Sequence, residues 1–192
     1  QSMDVLFWLN DYYEDVIECW TKPQKVTMVH KYIKNIIVYS IDYLLDKHFP
    51  VIGIKEMFSV FENYDIEYST IVRLDISEFA DDESTEELEE YAYQLFELFC
   101  DDVLDRFVND VFTNLFWNKN FLYEFNFQCA KYISKIEKAK YPKILKENGV
   151  LYRAKYVPVW LKNAIIYRDK YRCSICGCDL SKAHTTVTKE NF

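Results

Sequence analysis

The sequence predicts a mainly α-helical fold. Apolar residues recur at three- and four-residue intervals over most of residues 5–138, the period of a helix with one buried face. Only 3 Gly and 4 Pro stand among 192 residues, too few turn formers for an all-β chain. Half of the residues are hydrophobic, enough for one medium domain, or for one domain with a small satellite.

The elements follow in order. Val5, Leu6, Leu9, Tyr12, Tyr13, Val16, Ile17 and Trp20 mark a first helix, which Pro23 interrupts. A second helix is expected over residues 24–47, with Val29, Ile33, Ile36, Ile37, Ser40, Tyr43 and Leu44 on one face and Phe49-Pro50 as its end. A short helix over 54–63 follows, and residues 66–76 alternate enough to be either a short strand or an extended connector. Ser84 can cap the next helix while Glu87 reaches back to it, and the carboxylates around them suit a helix start. Leu88, Tyr91, Leu95, Phe99, Val103, Phe107, Val111 and Leu115 then trace one long amphipathic helix to about Trp117. Asn118 permits a break before a helix over 121–138. Pro158 suits the first turn of a short helix ending near Arg168, with Trp160, Leu161, Ala164 and Ile165 on its buried side.

Charge divides the chain. Residues 1–130 carry 9 basic against 26 acidic side chains, net −17, whereas residues 131–192 carry 14 against 5, net +9. The basic stretch attracts polyanions and the acidic one repels a phosphate backbone. Two domains are therefore expected: an acidic helical domain over 1–140, for interaction or regulation, and a basic segment over 141–192. Between Lys131 and Arg172 the cations alternate with Tyr132, Tyr141, Tyr152, Tyr156, Trp160, Tyr167 and Tyr171, a mixture suited to phosphate contact. Lys155, Lys162, Arg168, Lys170 and Arg172 are the candidate nucleic acid-binding residues. The acidic residues Glu86, Glu87, Glu89, Glu90, Asp101, Asp102 and Asp105 read as a solvated helix face.

No run of about 18 uncharged apolar residues occurs, and no signal-peptide pattern opens the chain, so a soluble cytoplasmic protein without a membrane partner is expected. In a reducing compartment Cys19, Cys100 and Cys129 read as small helical hydrophobes. Cys173, Cys176 and Cys178 are clustered and read as metal ligands. A Cys-x-x-Cys pair followed by Gly is a thiolate hook on a tight turn, half of a tetrahedral zinc site. Cys178 and His184 would complete a four-ligand set within this segment.

Residues 157–180, V-P-V-W-L-K-N-A-I-I-Y-R-D-K-Y-R-C-S-I-C-G-C-D-L, resemble the opening of HNH endonucleases of the ββα-metal class: a short helix, Arg-Asp, a Tyr-x-Cys-x-x-Cys-Gly knuckle and a strand. The resemblance spans about 24 residues and covers none of the acidic helical part. It implies the start of a small zinc-knuckle ββα-metal domain after the helical domain, with structural zinc on Cys173 and Cys176 and a second ligand pair from a later Cys-x-x-Cys. Arg168-Asp169 would be scaffold leading into the knuckle. It also implies a DNA endonuclease of restriction or phage defence that uses a catalytic divalent ion such as Mg or Mn. In that family a general-base His, a second His and an Asp or Asn serve the reaction at the end of the following strand, expected here over 185–192. None of these is present, so the chain is expected to be a truncated, inactive form with no catalytic residue of its own. The partners expected are DNA for the basic part and a protein, or a second copy, for the acidic part. A rival reading is a non-enzymatic zinc-stapled helical adaptor for a protein or nucleic acid partner. In a third, the acidic part covers the basic part electrostatically until a partner displaces it.

Overall fold

The computed structural model describes residues 4–46, 49–68, 71, 74–81, 83–153 and 156–181. The chain is mainly helical, and its one sheet among the described residues is a two-stranded hairpin. It divides into two compact units. The first comprises Gln1–Met28 and Thr113–Phe192, the second Val29–Phe112. The first unit thus joins the N-terminal helix to the basic C-terminal part, and the charge boundary near residue 140 falls inside it.

In the first unit, helix α1 (Val5–Val16) starts on Asp4, whose side chain accepts from the Leu6 amide, and ends in a 3₁₀ turn, Ile17–Trp20. It packs against α6 (Lys119–Ile133), burying Trp8 and Leu9 on one side and Phe125, Cys129 and Ile133 on the other. Asn118 is the N-cap of α6, its Oδ1 accepting from the Phe121 amide at 3.0 Å. That helix ends at Ile133, earlier than its period suggested, because the chain turns at Ser134 into the hairpin β1 (Leu145–Glu147) and β2 (Val150–Leu151). Asn148-Gly149 forms the turn and also ties back to the chain that follows α6. Asn148 Oδ1 accepts from the Lys138 amide, and the Gly149 amide donates to the Ile136 carbonyl, both at 2.9 Å. Gly149 has φ +68°, and a Cβ there would stand 2.6 Å from the Ser134 carbonyl oxygen.

In the second unit, α2 (Met28–Asp46, its first residue still in the first unit) begins four residues later than the sequence suggested. The intervening chain folds back so that the Trp20 indole meets Met28 Sδ at 2.8 Å. Pro50 does not merely end α2: it opens α3 (Pro50–Asn63), where its fixed φ suits the first turn and its missing N–H costs nothing. Residues 66–68 form no strand. Tyr68 stacks instead on Phe58 at 5.1 Å and lies 5.5 Å from Phe61. The next helix, α4 (Glu86–Leu98), is capped by Thr85, whose Oγ1 accepts from the Leu88 amide at 3.2 Å. Ser84, the expected cap, hydrogen-bonds Glu89 Oε1 instead.

The long helix expected to run to Trp117 is interrupted by a π turn, Phe99–Val103, before α5 (Leu104–Trp117). A π turn inserts one residue and rotates the following face. The buried stripe Leu88, Tyr91, Leu95, Phe99, Val103 accordingly passes to Leu104 and Val108, while Phe107, Val111 and Leu115 are only half-buried. Tyr64 ties the end of α3 to α5: its hydroxyl donates to Asp110 at 2.6 Å, and Arg106 donates to its carbonyl at 2.8 Å. Burial, helped by Asp110, pushes this phenol up to about 12. The carboxylates of Glu86, Glu87, Glu89, Glu90, Asp101, Asp102 and Asp105 are exposed, as a solvated face requires.

Among the described residues no helix is long and apolar enough to cross a membrane. Gly149→Ala should lower stability by about 2 kcal/mol, since it adds left-handed strain of 1–2 kcal/mol to the close approach on Ser134. The midpoint of urea unfolding measures the loss. A mutant with an unchanged midpoint would show that the turn relaxes freely.

Candidate metal knuckle and basic face

The site begins where α7 (Val159–Asp169) ends. Pro158 precedes this helix as its N-cap, and Lys170 closes it in a left-handed conformation, its amide donating to the Ile166 carbonyl at 2.8 Å. Lys170 and Tyr171 have φ +50° and +59°, two consecutive left-handed residues that are not glycine. Each costs about 1–2 kcal/mol and so needs fixed surroundings. The surroundings are backbone bonds. Arg172 N–H donates to Asp169 C=O at 2.9 Å, Leu180 N–H to Tyr171 C=O at 2.7 Å, and Arg172 and Asp179 form an antiparallel bridge.

Inside that bridge the chain makes the knuckle. The Gly177 amide donates to the Cys173 carbonyl, and the Cys173 amide to the Cys178 carbonyl, both at 2.9 Å. Gly177 has φ +72° with no atom within 4 Å of a Cβ position, so glycine serves the backbone conformation and not close packing. The sulfurs of Cys173, Cys176 and Cys178 lie within 4.8 Å of one another, and Cys176 Sγ is 3.3 Å from Cys178 Sγ. A tetrahedral zinc with bonds of about 2.3 Å separates its sulfur ligands by about 3.8 Å, so the three sulfurs fit three corners of such a site.

Backbone N–H groups of Cys176 and Ile175 hold the Cys173 thiol below the usual cysteine range, which favours the thiolate that a metal binds. Cys178 is pushed the other way, chiefly by its hydrogen bond with Cys176 and then by burial. Two negative sulfurs this close repel unless a cation stands between them. His184, the fourth expected ligand, lies outside the described residues, as does the strand expected over 185–192. The remaining cysteines form no cluster. Cys129 is buried, with its thiol pushed up to about 12 by desolvation, and Cys19 and Cys100 are half-buried.

Arg168 and Asp169 attach the knuckle to the helical body. Arg168 grips Asp169 through two parallel bonds, Nε to Oδ1 at 2.9 Å and the second nitrogen to Oδ2 at 3.0 Å. Lys119, at the start of α6, reaches the same Oδ1 at 3.0 Å. The Arg168 guanidinium also lies 5.0 Å over the Phe116 ring, while Tyr167 meets Trp117 edge to face at 5.7 Å. The Asp169 side chain is only 9% exposed, and its carboxyl is held below the usual range, first by the Arg168 hydrogen bond.

Among the candidate nucleic acid-binding residues, Arg168 is therefore committed inward, with 15% of its side chain exposed. Lys170 and Arg172 are exposed, Lys162 is half-buried and Lys155 lies outside the described residues. Helix α7 buries no residue completely. Trp160, expected on its inner side, is exposed, and Leu161, Ala164 and Ile165 are half-buried. The sequence pointed to the three cysteines but gave no hint of Lys119, which meets Asp169 across 50 positions.

Compared with family models, with curated proteins and with solved structures, the chain gives no match.

Asp169→Ala should release α7 and the knuckle from α6, costing about 2 kcal/mol for the lost charge-assisted bonds. Hydrogen exchange in α7 should then rise about 30-fold. Because the folded state depresses this carboxyl, its contribution is complete above about pH 4, the ordinary aspartate value, and is lost as pH falls below it. Unchanged exchange in the variant would leave the anchoring to the aromatic contacts alone.

Proposed function

We propose that this chain is a metal-stapled, nucleic acid-directed module of the HNH type. In this reading the knuckle at Cys173, Cys176 and Cys178 holds a structural zinc ion, and the acidic helical unit serves a protein partner or a second copy. The gathering of three sulfurs on a backbone arranged to stabilise a thiolate carries the proposal. When bound, the zinc would replace the missing hydrophobic core of the knuckle as its source of stability. Cys173, Cys176 and Cys178 would hold it, and Lys162, Lys170 and Arg172 would meet phosphates beside it.

The polyanion preference follows from charge. The first unit carries 17 basic and 11 acidic residues, net +6, and the second 6 and 20, net −14. A phosphate backbone is drawn to the first and repelled by the second. The resemblance to HNH nucleases supplies the reaction class, metal-assisted phosphodiester hydrolysis, but these 192 residues supply no general-base His beside a metal-holding pair. The chain is therefore proposed to bind without cutting.

Cys178 favours a second reading. Its sulfur stands with the Cys-x-x-Cys pair, as a self-contained site would have it and as a site completed by a distant second pair would not require. That site would staple a helical adaptor with no nuclease role.

Zinc analysis under native conditions should find one ion per chain, lost on chelation together with the order of the knuckle. Cys173→Ser or Cys176→Ser should abolish it. Cys178→Ser and His184→Ala should weaken zinc strongly if the site is self-contained and little if other ligands complete it. Incubation with DNA and magnesium or manganese should give no cleavage. Zinc-free protein with an ordered knuckle would overturn the metal reading, and metal-dependent cutting would place a catalytic centre elsewhere in the chain.

A further inference from the structure

Helix α6 buries Phe125, Cys129 and Ile133 against α1, and the row on its opposite side is aromatic and cationic. Tyr123 and Phe127, four residues apart, are 72% and 45% exposed. Their rings are parallel to within 6°, with centroids 6.4 Å apart. One turn on, Lys131 Nζ lies 4.5 Å over the Phe127 ring. A further four residues on, Lys135 lines a cleft of about 440 Å³ walled by Tyr132 and Tyr141. In that cleft Lys140 Nζ lies 4.3 Å over the Tyr13 ring and donates to the Tyr13 hydroxyl at 2.8 Å.

We propose that this row, Tyr123, Phe127, Lys131 and Lys135 leading into the Lys140 cleft, is a binding track for single-stranded nucleic acid. Neighbouring aromatics on a helix stabilise it by only about 0.2–0.5 kcal/mol per pair, which does not offset leaving two large rings in water. A covering ligand must offer flat apolar faces beside negative charge in alternation. Unstacked bases on a phosphate backbone do so, whereas a duplex keeps its base faces inside the stack. From Tyr123 to Lys131, the part of the row on α6, the track runs about 12 Å at helical rise, a length of a few nucleotides, and Lys135 stands just past the end of the helix. Charge complementarity agrees: the unit that bears the track is net +6, and Lys131 and Lys135 are exposed. Glu124, Glu137 and Glu14 are opposing charges nearby; Glu124 is engaged by Gln128, and Glu14 accepts from the Tyr13 hydroxyl at 2.9 Å. The track is distinct from the α7 and knuckle cations and does not depend on zinc.

Fluorescence anisotropy of the whole chain with a labelled oligothymidylate of about 12 nucleotides, and with a blunt duplex of the same length, tests it. The single strand should bind more tightly, and its affinity should fall steeply with salt. Tyr123→Ala and Phe127→Ala should each weaken it about tenfold, Phe127→Trp should preserve it, and Lys131→Ala should lower both affinity and salt slope. Lys162→Ala, Lys170→Ala and Arg172→Ala, at the interface proposed above, should weaken single strand and duplex alike and leave the preference between them intact, which separates the track from that interface. Wild-type affinity in a folded Tyr123→Ala/Phe127→Ala double variant would overturn the proposal. So would equal binding of the duplex, or binding to anionic phosphatidylserine vesicles with none to the oligothymidylate.

Discussion

The carboxylate of Asp169 joins the knuckle to the rest of the protein. Helix α7 has no completely buried side chain, so burial of apolar area cannot be its main anchor. What fixes it is a partly desolvated charge cluster: Asp169 between Arg168 on its own helix and Lys119 at the start of α6. Such a cluster is strong only while complete, because removing one partner leaves another charge out of water. Asp169 also supplies the carbonyl that receives Arg172 N–H, and so the residue that docks the helix begins the turn that presents the cysteines. A change at Lys119 would reach the sulfurs through that one side chain.

Charge along the chain and charge in space are organised differently. The acidic side chains of α1 belong to sequence that is net negative, yet α1 packs on α6 and shares a unit with the lysines and arginines of the C-terminal part. The packing of Trp8 and Leu9 against the Phe125, Cys129 and Ile133 row overrides the local charge pattern, because one buried aromatic outweighs a few screened surface charges. The result is a unit with a modest positive balance that still contains carboxylates. In such a field, the local potential is set by where cations stand beside aromatic faces and less by the total.

Helix positions were legible because their period is a direct consequence of one-sided burial. The register after Phe99 was not, since Phe107, Val111 and Leu115 continue the period smoothly and only the π turn moves the buried face to Leu104 and Val108. Neighbouring Ser84 and Thr85 are equivalent cap formers in sequence, and which one bonds the helix amide is set by where the chain enters. The hairpin at Asn148-Gly149 was not read from the sequence, and its tie to Ile136 and Lys138 in the chain after α6 depends on tertiary placement. At the knuckle, the spacing of Cys173, Cys176 and Gly177 encodes the local turn, so three sulfurs could be named from sequence. Lys119 could not, because no periodicity links it to Asp169.

The knuckle has almost no apolar burial of its own. Ile175 at its tip is 95% exposed, and two left-handed residues lead into it. A segment this small cannot recover such strain from a core of its own. Its backbone bonds bring the sulfurs together, yet bringing thiolates together is unfavourable until a dication replaces their protons. The opposite displacements of Cys173 and Cys178 express that conflict: one sulfur is stabilised as an anion by backbone N–H groups, and the other keeps its proton by hydrogen bonding to Cys176. In the zinc site proposed above, metal entry would resolve it by releasing protons, so zinc affinity and the order of the knuckle should rise together with pH.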